Sequence, residues 1–406
     1  MARGNEERLP RRFGRYVLVD QIGRGGMARI YLGRAETDLG GERLLVIKRI
    51  LPILSGSKEF SQLLVDEAKL AARLSHGNIV QVIDLGRHED ELYIAMEYVE
   101  GFDLRELLRR CAKQSVALPL DFSLLIVSEV LRALDYAHRK RDDSGQPLSI
   151  VHRDVSPSNV LLSFEGEVKL CDFGIARAAG IGGELSPEAI RGKAAYMSPE
   201  AASGAPLDAR SDLFSCGIIL WELLSGQHLY RAPAGRPVSL EQAVRAEIPP
   251  LPDADYPEPM RLRTIVHQAL AKHPDERYAS AREMLKELEA YVAHNRLTKS
   301  PLRLGQWLTQ HFAQDIVELR RAREQLARSM ASETRDSSTT GMRAERPGPP
   351  SLQSPVVEIP RLLPPPPSLA GSVQQAGADQ RMRGVLMLVA LALLLVLAAL
   401  ILYLLG

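Results

Sequence analysis

The stretch Ile150-Val151-His152-Arg153-Asp154-Val155-Ser156-Pro157-Ser158-Asn159-Val160-Leu161-Leu162, IVHRDVSPSNVLL, sets an acid and an amide five positions apart and then runs into apolar residues. Lys169-Leu170-Cys171-Asp172-Phe173-Gly174 repeats the design, with a second acid closing another short apolar run. Together Asp154, Asn159 and Asp172 supply two carboxylates and one amide. Asp172 and Asn159 suit a hard divalent cation, and Asp154 suits receipt of a hydroxyl proton.

Working outward, Ile22-Gly23-Arg24-Gly25-Gly26-Met27-Ala28-Arg29-Ile30-Tyr31 lies between two strand-like runs. Glycines at 23, 25 and 26 let backbone amides approach a phosphate where a Cβ would collide. The loop leads into a strand rather than a helix, which fits a hairpin over phosphates better than a dinucleotide site. A plain glycine turn is the other reading. Lys48 ends the apolar strand Leu45-Val46-Ile47-Lys48, and Glu67 lies in the amphipathic stretch Phe60 to Leu74. A helix-borne carboxylate would hold such a lysine extended and charged beside a nucleotide. The alternative is an ordinary surface ion pair. Taken together, these groups are what phosphoryl transfer from a magnesium-bound triphosphate requires.

The whole chain permits this. Its 406 residues, 45% hydrophobic, suffice for a sizeable core. Lys plus Arg number 51 against 50 Asp plus Glu, so no global field favours nucleic acid. Cys111, Cys171 and Cys216 are scattered and odd in number, which reads as buried thiols in a reducing compartment rather than a disulfide frame or zinc site. Residues 1–15 form a charged tail without a secretory h-region. Residues 16–291 read as globular, with a β-rich part first and a helical part second. Residues 292–330 read as a helical extension, with Leu304, Leu308, Phe312, Ile316 and Leu319 at spacings of three and four, taken as a packing appendage. Residues 331–384 turn to Ser, Thr, Pro and Gly and read as a disordered linker, spanning about 40 Å if flexible. Residues 385–405, VLMLVALALLLVLAALILYLL, carry no charge and match the thickness of a hydrocarbon core. Arg381 and Arg383 precede them, which puts that side in the cytoplasm.

With these motifs in order, the chain resembles a bacterial, eukaryotic-like (Hanks-type) serine/threonine protein kinase. The resemblance covers about residues 16–291 and extends to Met197-Ser198-Pro199-Glu200, to Asp212 in Ser-Asp-Leu-Phe-Ser-Cys-Gly, and to Arg277 in Pro-Asp-Glu-Arg-Tyr. It implies an α+β fold of two lobes, a β-rich N-lobe and a helical C-lobe, with ATP and magnesium (Mg2+) as cofactors. By the same resemblance Asp154, Lys48 and Asn159 are catalytic, and Asn159 and Asp172 bind metal. The nucleotide site would comprise Ile22, Gly23, Arg24, Gly25, Gly26, Met27, Ala28, Ile30, Val46, Lys48, Glu67 and Leu161, with Met96 as gatekeeper and Glu97 to Val99 facing adenine through their backbone. His152 and Phe173 would join Ala71 in a hydrophobic column between the lobes. Arg153 would sense phosphate on the activation loop, Glu200 would pair with Arg277, and Asp212 would support the catalytic-loop backbone.

The family pattern is broken in places. Ala28 replaces a third glycine and Val46 replaces an alanine, each adding only a methyl or two. Ser156 stands where Ser/Thr kinases have a lysine, and losing one such preorganised contact costs about 3 kcal/mol. Gly192-Lys193-Ala194-Ala195-Tyr196 has lysine where the family has threonine, so Lys193 is expected to return the missing ammonium to the γ-phosphate region, the alternative being a lysine in solvent. Among the hydroxyls between Asp172 and Glu200, Ser186 is the expected regulatory site, although Arg177, Arg191 and Lys193 offer charge that could order the loop unmodified. Pro157, and the lack of an AAR or RAA triplet after Asp154, favour serine and threonine as acceptors. The expectation is thus a membrane-tethered Ser/Thr protein kinase, single-pass through its C-terminal helix, with a cytoplasmic kinase domain. Its partners would be protein substrates, the membrane and a second copy for autophosphorylation, with no nucleic acid. A nucleotide-binding pseudokinase scaffold and a lipid or small-molecule kinase are the rivals.

Overall fold

The structure, a computed structural model, describes residues 9–25, 28–36, 41–51, 58–173, 194–230 and 238–339. The chain divides into units 1–342 and 343–406, and every described residue lies in the first.

The N-terminal part is one antiparallel sheet. Its strands are β1 (Arg11–Phe13), β2 (Tyr16–Arg24), β3 (Ala28–Glu36), β4 (Glu42–Ile50), β5 (Val82–His88) and β6 (Glu91–Glu97), in the order β1-β2-β3-β4-β6-β5. Strand alternation assigns the faces. Leu45, Ile47 and Ala95 pack with Phe13, Tyr16, Leu18 and Tyr31 on one side. Val46, Ile94 and Met96 turn to the other, where Ala68 of helix α1 (Lys58–Ala72) and Val80 complete a second cluster. Lys48 pairs in register with Ile94 and so shares that second face, which looks onto the cleft. Arg49 lies on the first face, stacked on Phe13 and Tyr31 and ion-paired with Glu91 at 2.7 Å.

The C-terminal part is helical around a small sheet of β7 (Gly101–Asp103), β8 (Val160–Ser163) and β9 (Val168–Leu170). Its helices are α2 (Leu104–Gln114), α3 (Leu120–His138), α4 (Pro199–Ala202), α5 (Ala209–Ser225), α6 (Leu240–Arg245), α7 (Pro259–Ala269), α8 (Ala281–His294) and α9 (Pro301–Thr339). Helix α5 is buried without a break from Ser211 to Leu224, so it is enclosed on all sides and takes the centre. Asp208 caps its first turn by accepting from the Arg210 amide, and Gly226 in a left-handed conformation ends it. The two-lobed α+β architecture is the expected one. Burial raises the Cys111 thiol to about 11 and Cys216 to about 12, which leaves both as inert core residues.

Helix α9 departs from expectation. Ser300 caps it, accepting from the Arg303 amide at 3.3 Å, with Pro301 at the first helical position. It continues through Thr339, across the residues 331–339 expected to begin the linker, because Ala331 to Thr339 contains neither glycine nor proline to stop it. Leu304, Leu308, Phe312 and Ile316 are buried in the C-lobe core, so the helix is part of that core. Phe312 leaves helical geometry at φ −123° and ψ 25°, dividing α9 into two arms. Residues 340–406, with the rest of the linker and the expected membrane helix, lie outside the described residues. Among those that are described, no helix is long and apolar enough to cross a membrane.

Gly166 tests how α9 docks. Its φ is +90°, and a Cβ there would lie 1.7 Å from the Pro301 carbonyl oxygen, whereas at Gly145, φ +81°, a Cβ meets nothing within 4 Å. Both substitutions incur the backbone term of about 1–3 kcal/mol. Only Gly166→Ala must also displace Pro301. Chemical denaturation should therefore show Gly166→Ala to be the more destabilising, with α9 newly open to limited proteolysis; equal losses at the two positions would contradict the packing.

Candidate active site

The expected catalytic loop is built on strain that one carboxylate holds in place. Arg153 has φ +67°, a conformation non-glycine residues rarely adopt. Asp212, in the first turn of α5 and 1% exposed, accepts the His152 and Arg153 amides, each at 2.8 Å. It also accepts His138 Nε2 at 2.8 Å. A buried carboxylate with three donors satisfies itself and fixes the loop.

His152 then carries that order to both acids. Its Nε2–H donates to the Cys171 carbonyl at 2.9 Å, and its Nδ1 accepts the Asp154 amide at 3.2 Å. A carbonyl can only accept, so the hydrogen sits on Nε2. The ring packs on Phe173 with centroids 4.4 Å apart, and Ala71 borders the same cavities as Phe173. Asn159 adds a second tie. Its Nδ2 donates to the Asp154 carbonyl at 2.7 Å and to Asp154 Oδ2 at 3.2 Å, while its own carbonyl accepts the Cys171 amide at 2.9 Å. Asp172, at φ +65°, receives Lys48 Nζ on Oδ2 at 2.8 Å. Lys48, Asp154, Asn159 and Asp172 are therefore brought together from two lobes.

The expected pair of Lys48 with Glu67 is not made. Lys48 reaches Asp172 instead. Glu67 is buried beside Leu70, Ala71, Arg153 and Phe173. Sequence reasoning paired a lysine with a helical acid and had no means of seeing that a second acid, distant along the chain, lies within its reach.

At the nucleotide end, β2 and β3 form the expected hairpin. Gly23 pairs with Ile30 and Arg24 with Arg29, and the Gly25 amide donates to the Ala28 carbonyl at 2.8 Å. Ile22 is 46% exposed at its mouth. Gly26, Met27, Ser186 and Lys193 lie outside the described residues. Val46, Met96, Val99, Leu161 and Cys171 form one apolar cluster with Ala68 and Val80, a wall suited to a flat aromatic ring. Glu97 ends β6, and its Oε1 accepts the Gln81 amide at 2.8 Å and Lys169 Nζ at 3.1 Å.

The donor set fits magnesium. Asp172 offers a carboxylate, and Asn159 Oδ1 accepts no hydrogen bond from the described residues. Among those residues no cluster of three or more His, Cys, Asp or Glu forms a cage. A hard cation held by one or two protein oxygens, with phosphates completing its shell, matches that arrangement.

Below the cleft, Glu200 receives Arg277 on both oxygens, Nη1 at 2.7 Å and Nη2 at 2.8 Å, and Ser211 Oγ at 2.7 Å. Arg277 also donates to the Ala271, Lys272 and Arg210 carbonyls and stacks 4.8 Å from the Phe214 ring. Sequence reasoning found this pair and missed two others. His138 and Lys169 sit at the end of a helix and in a short strand, and nothing in their neighbourhood marks them.

Comparison with known proteins agrees with this geometry. A model described as the protein kinase domain matches residues 16–308. The chain is 37% identical to the tyrosine-protein kinase MasK of Myxococcus xanthus over 303 residues, 75% of this chain and 47% of that one. It is 32% identical to the serine/threonine-protein kinase PrkC of Bacillus subtilis, covering 70% of this chain and 42% of that one. The chain thus spans less than half the length of these relatives. The crystal structure of the Mycobacterium tuberculosis PknI kinase domain superposes with a TM-score of 0.51 at 28% identity, covering 70% of this chain and 98% of that one.

The Glu200–Arg277 pair yields a pH prediction. Burial alone would raise the Glu200 carboxyl, but hydrogen bonds from Arg277 and Ser211 pull it from 4.5 down to about 2. A carboxyl depressed by folding stabilises the fold fully above its unfolded value. That contribution is lost as pH falls from about 4.5 toward 2. Denaturation midpoints should fall across that window in the wild type and less steeply in Glu200→Gln. At neutral pH, Arg277→Met should cost about 3–5 kcal/mol, because it strands a buried carboxylate.

Proposed function

The chain belongs to the protein kinase family, and from that membership we propose that it is a serine/threonine protein kinase transferring the γ-phosphate of Mg-ATP to protein hydroxyls. The observation that carries the reading is the convergence of Asp154, Asn159, Asp172 and Lys48 through His152 and Asp212. Such a frame positions acceptor and donor before reaction, which is most of what phosphoryl transfer asks of a protein. Asp154 would orient the acceptor hydroxyl and take its proton, and Lys48 would hold the phosphates. Magnesium, held by Asp172 and Asn159, would neutralise charge on the β- and γ-phosphates. Val46, Met96 and Leu161 would enclose adenine. Lys193 would supply the ammonium that Ser156 lacks, and Ser186 would be the phosphorylated activation-loop residue read by Arg153. The intact set of polar groups argues against a pseudokinase scaffold.

A tyrosine acceptor is the second reading, favoured by the 37% identity to a relative named as a tyrosine-protein kinase. Phosphoamino-acid analysis decides between them. The purified chain with Mg-ATP and a protein acceptor should yield phosphoserine and phosphothreonine, and phosphotyrosine alone would overturn the first assignment. Asp154→Asn should retain ATP binding and lose transfer by about 10²–10⁴-fold.

The apolar residues 385–405 support a membrane tether with the kinase domain on the cytoplasmic side, where a second copy would be the partner in autophosphorylation. Deleting 385–405 should move the protein from the membrane pellet to the supernatant. Full-length protein found in the supernatant would defeat the tether.

A further inference from the structure

The chain passes from the N-lobe sheet to β7 through Tyr98, Val99 and Glu100, and two cations hold that segment by the acids at its ends. At the front, Glu97 is fixed by the Gln81 amide and Lys169. At the back, Glu100 is gripped by α9. Arg320 Nε donates to Glu100 Oε1 at 3.2 Å and Nη2 to Oε2 at 3.0 Å, a two-toothed contact. The Glu100 carbonyl accepts the Phe164 amide at 2.9 Å, and the Arg320 guanidinium lies 5.9 Å from the Phe164 ring.

Helix α9 is well placed to exert this grip. Phe312 packs edge-on against Phe102 with centroids 6.0 Å apart, and Phe102 in turn packs against Phe164 at 5.0 Å. Arg110 covers the Phe102 ring at 4.6 Å and ion-pairs with Asp315 of α9. The first arm is thus anchored in the C-lobe. The departure from helical geometry at Phe312 redirects the second arm, which passes Glu100 and comes alongside β2 of the N-lobe. One helix touches both lobes and the segment joining them.

We propose that Arg320 is a positioning residue for the nucleotide: by holding Glu100 from α9 it fixes the backbone of Glu97 to Val99 against which adenine binds. The inference rests on the kinase reading of that segment. Arg320 is about half exposed, so the pair adds little to global stability. Its effect falls on the geometry of the connecting segment. An exposed ion pair that fixes one binding surface changes affinity by a few-fold and leaves the chemical step alone.

The test is charge reversal in the full-length chain, reading KM for ATP, kcat, and Kd for a fluorescent ATP analogue. Arg320→Glu should raise both KM and Kd about fivefold with kcat within about twofold. Arg320→Gln, milder and tolerated at a half-exposed site, should give about threefold. The double variant Glu100→Arg with Arg320→Glu should recover most of the loss. Unchanged Kd in both single variants, or a double variant no better than the worse single, overturns the inference. If wild-type protein binds no nucleotide, the kinase reading fails instead, so the two failures are distinct.

Discussion

The carboxylate of Asp212 is the contact on which the remaining site depends. It sits in the first turn of the most deeply buried helix, α5, where unpaired amides favour negative charge. From there it takes the amides of His152 and Arg153 and holds Arg153 at φ +67°. Released from it, the loop would relax toward ordinary backbone conformations, and Asp154 would turn with it. The core thereby dictates the orientation of a polar loop at the surface of the cleft. Precision comes from a rigid element, as it must where a displacement of about 1 Å is costly.

Order spreads outward from that point through backbone groups more than side chains. His152 links the Asp154 amide to the Cys171 carbonyl, and the Asn159 carbonyl takes the Cys171 amide. Asp172 follows Cys171 directly, so its position is inherited. Substituting Cys171 would leave these bonds in place, since only its backbone takes part in them. Its thiol, raised by burial, packs into the apolar cluster with Val46, Met96 and Leu161 and does not serve as a nucleophile.

Much of this was legible in the sequence, for identifiable reasons. The apolar run Leu45 to Lys48 read as a strand carrying a lysine, and Asp154, Asn159 and Asp172 read as one set of oxygen donors, as the structure has them. The four-residue steps from Leu304 to Ile316 marked a buried helical stripe. What could not be read depends on three-dimensional proximity. Lys48 meets Asp172 because β4 and the loop after β9, distant along the chain, converge in the cleft. His138 reaches Asp212 across 74 residues, and Arg320 reaches Glu100 across 220, and no local pattern encodes either. Helix α9 runs on into the serine- and threonine-rich stretch because Ala331 to Thr339 lacks a helix breaker, a property that composition alone does not show.

The ionic contacts divide by burial, and the division has a physical logic. Arg277 is fully enclosed, with Glu200 and three carbonyls satisfying its donors, so it cannot shift without stranding charge. Arg320 and Glu100 are partly hydrated on either side and can separate at little cost. A chain of nearly balanced charge has no long-range field with which to regulate the cleft, so adjustment must come from local pairs. Placing the immovable pair beneath the cleft and the exchangeable one beside the connecting segment keeps the catalytic frame fixed.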